Sequence, residues 1–227
     1  MIILTGASGG IGRAILPALS KLDHVTAVYH SKQPDIAGLE RVTLQQIDLT
    51  SEREVNDFAT KMKDKLTRIT LVHAAALSRD SLAAKLDLND WDQAINVNLR
   101  GDFLLTRAML IPMIAEKWGR VIHISSVAGM RGVPGTLAYS TAKTGLLGMS
   151  RVLANEYARF GITSNVLVAG YFNTGLIETL SEKMRQDIIE SIPSKRLGEP
   201  SNIVNAIEFL MKSEYVNGST INIDGGI

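Results

Sequence analysis

Tyr139 and Lys143 stand four residues apart in a run of good helix formers, Ala138 to Phe160, so a helix there carries the phenol and the ammonium on one face. Just upstream, the apolar run Val121 to Ile124 is bounded by Gly119 and by Ser125 and Ser126, the pattern of a buried strand that ends in hydroxyls. A glycine-rich loop between strand and helix lets Ser126 stand beside the other two. A cation near a phenol favours the phenolate, so Lys143 is expected to lower the pKa of Tyr139 and make it a proton donor and acceptor closer to neutral pH. Ser126 then holds the substrate oxygen. Such a trio suits reduction of a carbonyl or oxidation of an alcohol, where oxygen gains or loses a proton as carbon gains or loses hydride.

A Tyr-x-x-x-Lys spacing alone arises often by chance. Its weight comes from the opening of the chain, MIILTGASGGIGRAIL. Met1 to Leu4 reads as a short strand, Thr5 to Gly12 as a turn of small residues, and Arg13 to Leu22 as a helix. Gly6, Gly10 and Gly12 follow the spacing G-x-x-x-G-x-G, a variant of the strand, glycine turn and helix arrangement that brings backbone N–H groups at a helix N-terminus to a pyrophosphate. The position directly after the first strand points to dinucleotide binding rather than to a plain tight turn.

Together these motifs resemble the short-chain dehydrogenase/reductase family, and the likeness covers almost the whole chain. TGASGGIG at Thr5 to Gly12 is similar to the family's cofactor motif, and Ser126, Tyr139 and Lys143 match its catalytic serine, tyrosine and lysine. The resemblance implies that Asn98, in Asn96-Val97-Asn98-Leu99, is a fourth catalytic residue that kinks its helix and holds a water linking Lys143 to solvent. Asn96 reads instead as solvated helix surface.

The elements that must position these groups alternate along the chain. Strands are expected near 2–5, 24–29, 42–47, 69–74, 120–125, 162–168 and 219–223. Helices are expected over 11–22, 52–65, 89–115, 138–160 and 200–212, with a mobile-looking insert over 172–197. This alternation predicts an α/β protein, a single-domain Rossmann fold over residues 1–227, with a doubly wound parallel sheet of about seven strands and helices on both faces. Ser31 to Arg41, broken by Pro34 and Gly38, is too short for a crossover helix, so one sheet face is expected to be less covered there.

The cofactor contacts expected are Gly6, Ser8, Gly9, Gly10, Ile11 and Gly12 in the turn, with Tyr139 and Lys143 of the catalytic group. At the end of the second strand the chain reads Ala27-Val28-Tyr29-His30-Ser31-Lys32, without the acidic residue that binds the ribose hydroxyls of NAD. His30, Ser31 and Lys32 suit a 2′-phosphate, and NADP (NADPH) is favoured over NAD; an ordinary polar loop is the alternative. Gly9 stands where many NADP-preferring relatives carry a basic residue. Asp48 and Leu49 resemble the adenine-contacting position, with a helix N-cap region as the alternative. His73-Ala74-Ala75-Ala76 replaces the family's Asn-Asn-Ala-Gly. Ala74 and Ala75 still let a cofactor approach, while the loss of the asparagine's bracing hydrogen bonds bears on stability. Ala169 to Thr174 resembles the Pro-Gly-x-x-x-Thr segment, which implies nicotinamide contacts from Val168, Gly170 and Thr174. Leu176, Ile177, Leu180, Met184, Ile188 and Ile189 then recur at roughly helical spacing, as a substrate lid or as a plain surface helix.

Composition excludes other classes. A net charge of +1 gives no electrostatic case for nucleic acid or a membrane surface, and the absence of cysteine removes disulfides and thiolate metal sites. His24, His30, His73 and His123 lie far apart without metal-ligand spacing, so no metal is expected. No apolar run reaches membrane-spanning length, and Met1 begins directly on the first strand, so a cytoplasmic protein is expected. Within the family the likeness, including NVNLRG and KRLGEPS, is to bacterial beta-ketoacyl-acyl-carrier-protein reductases and acetoacetyl-CoA reductases. It implies an NADPH-dependent reductase of a beta-ketoacyl thioester, with an acyl carrier protein as a possible partner, met by Arg159, Arg151 or Arg107. It also implies a homo-oligomer, tetramer or dimer. A sibling enzyme acting on a sugar, polyketide or small alcohol, and a non-catalytic nucleotide-binding regulatory protein, remain open at this point.

Overall fold

A computed structural model describes residues 1–227, apart from the side chain of Leu176. Seven strands, β1 (Ile2–Leu4), β2 (Val25–Tyr29), β3 (Val42–Gln46), β4 (Thr70–His73), β5 (Gly119–Ser126), β6 (Ile162–Ala169) and β7 (Thr220–Ile223), form one sheet in the order β3-β2-β1-β4-β5-β6-β7. Every pairing is parallel. The order reverses between β1 and β4, which opens a crevice at the C-terminal ends of the strands. The fold is the expected α/β, doubly wound arrangement.

Alternation along the central strands sorts side chains to two cores. Ile2 and Leu4 face α1 (Gly10–Leu22) and α8 (Pro200–Lys212), packing with Ile15, Leu19, Ile203 and Ile207. Ile3 faces the other way, toward Val55 and Phe58 of α2 (Glu52–Met62) and Leu105 and Met109 of α4 (Gly101–Glu116). Each such buried side chain contributes about 1.5–3 kcal/mol relative to exposure. No helix joins β2 to β3, as the breakers in Ser31 to Arg41 lead one to expect; Ile36 and Leu39 pack against the first core in its place.

Three local departures from the sequence reading shape the site. The single long helix expected over 89–115 is α3 (Leu88–Ile95), a π-turn over Asn96–Arg100, and α4. Asn98 causes the break: its Nδ2 donates to the Ala94 carbonyl at 2.7 Å, taking the acceptor that a regular helix needs, and the Gly101 N–H reaches back to Asn96. The glycine-rich loop after β5 contains a short helix, α5 (Val127–Arg131), begun by Ser126, whose Oγ accepts from the Ala128 N–H at 3.2 Å. The insert over 172–197 is regular rather than mobile-looking, with a 3-10 turn at Gly175–Thr179 and α7 (Glu182–Ser191). Ile177, Ile192 and Leu197 form its own small core with Ile188 and Ile189, while Met184 points outward. Leu176, expected to take part, lies outside the described side chains.

Candidate active site

At the C-terminal edge of β1, β2, β3 and β4 lies a cleft of about 720 Å³. Its floor is the turn after β1, Gly6, Ser8, Gly9, Gly10 and Ile11. No side chain caps the N-terminus of α1 and no acidic residue stands in its first turn, so its end presents positive potential to an anion. Gly12 lies below the cleft, and a Cβ there would come within 2.1 Å of the Gly6 carbonyl oxygen. The turn therefore keeps the backbone open at the point where a pyrophosphate has to approach, and the residues present fit a dinucleotide.

Around this floor the cleft is lined by His30 and Ser31 after β2, Asp48 and Leu49 after β3, and Ala74 and Ala75 after β4. Lys32 is exposed and is not among the lining residues. Burial pushes the Asp48 carboxyl up, but the N–H and hydroxyl of Thr50, at 2.8 and 2.7 Å, together with His30, hold it below the usual carboxylate range. The strand end His73 to Ala76 is braced despite the missing asparagine. Thr5 Oγ1 accepts from the N–H groups of both Ala74 and Ala75 at 3.1 Å, and Asn98 binds the N–H and carbonyl of Leu77 at 3.1 and 2.7 Å.

Arg79, Gln93 and Asn96 also line the cleft. Asn96 is half-buried rather than the solvated helix surface expected of it, where α3 ends against the cleft. No sequence signal marks Arg79, whose place comes from the loop after β4.

Of the residues expected to be catalytic, Tyr139 and Lys143 stand on α6 (Leu137–Tyr157), which packs on β5 and on the π-turn. Lys143 is 2% exposed, and its Nζ donates to the Ile124 carbonyl at 2.9 Å and lies 5.9 Å from the centre of the Tyr139 ring. Ser125 Oγ fixes the backbone of the same residue by donating to the Lys143 carbonyl at 2.8 Å. Ser126 ends β5 as the cap of α5, and Asn98 is fully buried in the π-turn.

The segment after β6 ties this group to the glycine turn. Val168 pairs with Ser125 and Ala169 with Ser126, and a few residues on Thr174 Oγ1 donates to the Gly10 carbonyl at 2.9 Å. Val168 and Thr174 are buried, and Gly170 lies against Asp224, with 2.7 Å between its would-be Cβ and the Asp224 Cα. None of the three lines the cleft.

The model of the family described as Enoyl-(Acyl carrier protein) reductase matches residues 6–227. The chain belongs to the short-chain dehydrogenase/reductase family. Its relatives include a 3-oxoacyl-[acyl-carrier-protein] reductase FabG of Rickettsia bellii, 34% identical over 99% of this chain and 95% of that protein. Nodulation protein G of Azospirillum brasilense is 37% identical over 99% of this chain and 96% of its own length. A 3-oxoacyl-[acyl-carrier-protein] reductase of Synechocystis is 35% identical over 99% and 95%. Membership makes the protein an oxidoreductase that uses a nicotinamide cofactor.

Other expected features fall outside this group. Arg107 is engaged by Glu52 and stacks on Phe103, and Arg159 stacks on Phe160. Arg151 is exposed. Among the described residues no cluster has the make-up of a metal site, and no helix is long and apolar enough to cross a membrane.

Proposed function

We propose that the protein reduces the 3-keto group of a beta-ketoacyl thioester, carried on acyl carrier protein or coenzyme A, with NADPH preferred. The observation that carries the reading is the buried Lys143 ammonium 5.9 Å from the centre of the Tyr139 ring, in a fold whose glycine turn floors a cleft that fits a dinucleotide; neither residue lines that cleft itself. The full-length similarity to 3-oxoacyl reductases supports the substrate class. When bound in this cleft, NADPH would supply the hydride for the carbonyl carbon.

The chain's own residues handle the oxygen. Ser126 donates a hydrogen bond to the keto oxygen and aligns it. Tyr139 gives that oxygen its phenolic proton as negative charge develops there. Lys143 stabilises the phenolate left behind, and Asn98 keeps the turn beside it open for proton return. A positioned acid of this kind contributes about 10²- to 10⁴-fold. Gly6 to Ile11 hold the pyrophosphate, Asp48 and Leu49 bound the adenine, and His30 and Ser31, with Lys32 at the rim, favour a 2′-phosphate. Val168, Gly170 and Thr174 set the backbone that receives the nicotinamide. The exposed apolar residues Phe103 and Ile111 of α4 and Val152 of α6 support self-association of this protein into a homo-oligomer.

The test compares initial rates of NADPH and NADH oxidation with a short beta-ketoacyl thioester and with the matching trans-2-enoyl thioester. Fast NADPH turnover on the keto compound, lost in Tyr139→Phe while NADPH still binds, is the expected result. Turnover on the enoyl compound alone would move the reaction to the C=C bond that the matching family model's description suggests. Turnover on neither would send the substrate to sugar, polyketide or small alcohol carbonyls.

A further inference from the structure

A second cavity, of about 580 Å³, opens at the opposite end of the sheet from the cofactor cleft. It lies at the N-terminal ends of β1 and β4, beside the last turns of α1 and α8, and the reaction makes no use of it. Its size falls within the range of small-molecule sites, about 300–1,000 Å³. Apolar side chains from three parts of the chain meet there: Met1 ahead of β1, Leu22 of α1 and Met211 of α8. Trp118, directly before β5, adds an aromatic wall.

Charge in this cavity is unbalanced. Two carboxylates line it and both are taken, Asp23 by the Met1 ammonium at 2.9 Å and Glu208 by Lys212 at 2.6 Å. Lys21 and Arg68 also line it, and among the described residues neither has a carboxylate within ion-pair distance. Arg120 adds a third cation behind the aromatic wall. It is 3% exposed, its guanidinium carbon lies 4.5 Å from the Trp118 ring centre, and it donates to the carbonyls of Gly119, Gly161 and Met211. Positive charge gathered around a partly dry concavity raises the local concentration of anions.

Two local features of this end of the sheet have no use in the free protein. Thr70 lines the cavity and is buried, and its Oγ1 has no hydrogen-bond partner. Thr26 and Thr163 share that state, but neither lines this cavity. Thr70 is the register partner of Arg120, so the unused hydroxyl and the buried cation stand on adjacent strands and on the same face of the sheet. Arg68 holds φ at 42°, a left-handed conformation unfavourable for a residue with a side chain, and its guanidinium carbon lies 4.6 Å from the Trp118 ring centre. Unsatisfied polar groups and strained backbone concentrate where proteins bind ligands.

We propose that this cavity is a second binding site, for a small phosphate monoester with an apolar body. Lys21 and Arg68 hold the phosphate, the Thr70 hydroxyl donates to the ligand, and Leu22, Met211 and Trp118 receive the body. Two uncompensated cations match a dianion better than the single charge of a carboxylate, and the planar fork of Arg68 suits phosphate oxygens. The site stands independently of the reading of Tyr139 and Lys143.

The experiment titrates phenyl phosphate into the full chain, with saturating NADPH present to fill the cofactor cleft. Binding is read from the indole N–H signal of Trp118 in isotope-labelled protein, identified as the indole signal that remains in Trp91→Phe. The expected result is a saturable shift with a Kd on the order of 1 mM or tighter. Lys21→Gln and Arg68→Gln should each weaken it about tenfold or more. Inorganic phosphate, which lacks the body, and benzoate, which lacks the second charge, should each bind about tenfold more weakly. Thr70→Val should keep or raise the Tm, because the lost hydroxyl had no partner, while phenyl phosphate binds about threefold or more weakly. A shift that fails to saturate, or one that keeps its full affinity in both Lys21→Gln and Arg68→Gln, overturns the proposal. So does inorganic phosphate binding as tightly as phenyl phosphate, or a Thr70→Val variant with a lower Tm and unchanged affinity. A shift seen only without NADPH puts the probe in the cofactor cleft and overturns it as well.

Discussion

Gly10 and Gly175 meet backbone to backbone: a Cβ on Gly10 would lie 2.4 Å from the Gly175 Cα. The first turn of α1 and the start of the 175–179 turn therefore fit together only because both residues lack side chains. Thr174 locks the joint through its bond to the Gly10 carbonyl, and Arg13 of α1 pairs with Glu178 at 2.8 Å. The segment that leaves the sheet beside Ser126 is in this way pinned to the turn expected to hold the pyrophosphate.

Gly10→Ala should force that joint open. Overpacking against backbone costs about 1–3 kcal/mol. The expected outcome is a lower Tm and NADPH affinity reduced about tenfold or more, measured by thermal melting and by quenching of protein fluorescence.

Lys143→Met removes the ammonium but keeps an apolar side chain in the buried site. The expected loss of kcat is about 10²- to 10⁴-fold, from the weakened Tyr139 acid. A steady-state assay at saturating cofactor checks it; a rate within a few-fold of wild type would remove Lys143 from the chemistry.

Asn98→Ala strips the loop after β4 of the acceptor and donor that satisfy Leu77 and frees the Ala94 carbonyl. Each unsatisfied buried group costs about 1–3 kcal/mol. The variant should melt earlier and lose activity together, as seen by calorimetry and a parallel rate measurement.

Stability should fall with acid in two stages. Burial pushes the His123 imidazole below its ordinary value of 6.5, so the unfolded chain binds a proton that the folded chain refuses. That contribution is complete above 6.5 and declines as pH drops below it. Asp102 is likewise depressed from 3.8, so its contribution is present above 3.8 and lost only in stronger acid. Urea midpoints between pH 8 and 3 check the order; a midpoint that rises between pH 7 and 5 would contradict it.

Ser31→Asp places a carboxylate at the end of β2, where the cleft is expected to meet the 2′-phosphate. Like-charge contact should lower the NADPH-to-NADH preference by about tenfold or more, read as the ratio of kcat/KM values.

Much of this was legible along the chain because local patterns have local causes. Alternating apolar runs and caps fix the strands and helices to within a few residues, and α8 begins and ends where Pro200 and Lys212 predict. The Gly6 to Ile11 turn and the Tyr139–Lys143 face depend on spacing within one element, so sequence order suffices for them.

The π-turn at Asn96–Arg100 lies at the edge of legibility. Asn98 advertises a disturbed helix, but that the disturbance adds a residue to the turn depends on where Leu77 and Ala94 present their backbone groups.

By itself the sequence determined the α/β alternation, the glycine turn, and the hydroxyl, phenol and ammonium that follow β5, since each is a short-range pattern whose physics is complete within a few residues. Only the tertiary structure decided that His73 and His123, read as unrelated, stack on adjacent strands around the Asp102 carboxylate. Parallel pairing sets residues 50 positions apart side by side. Burial then turns that neighbourhood into a charge network whose strength depends on the exclusion of water, a property of the packed interior that no spacing along the chain encodes.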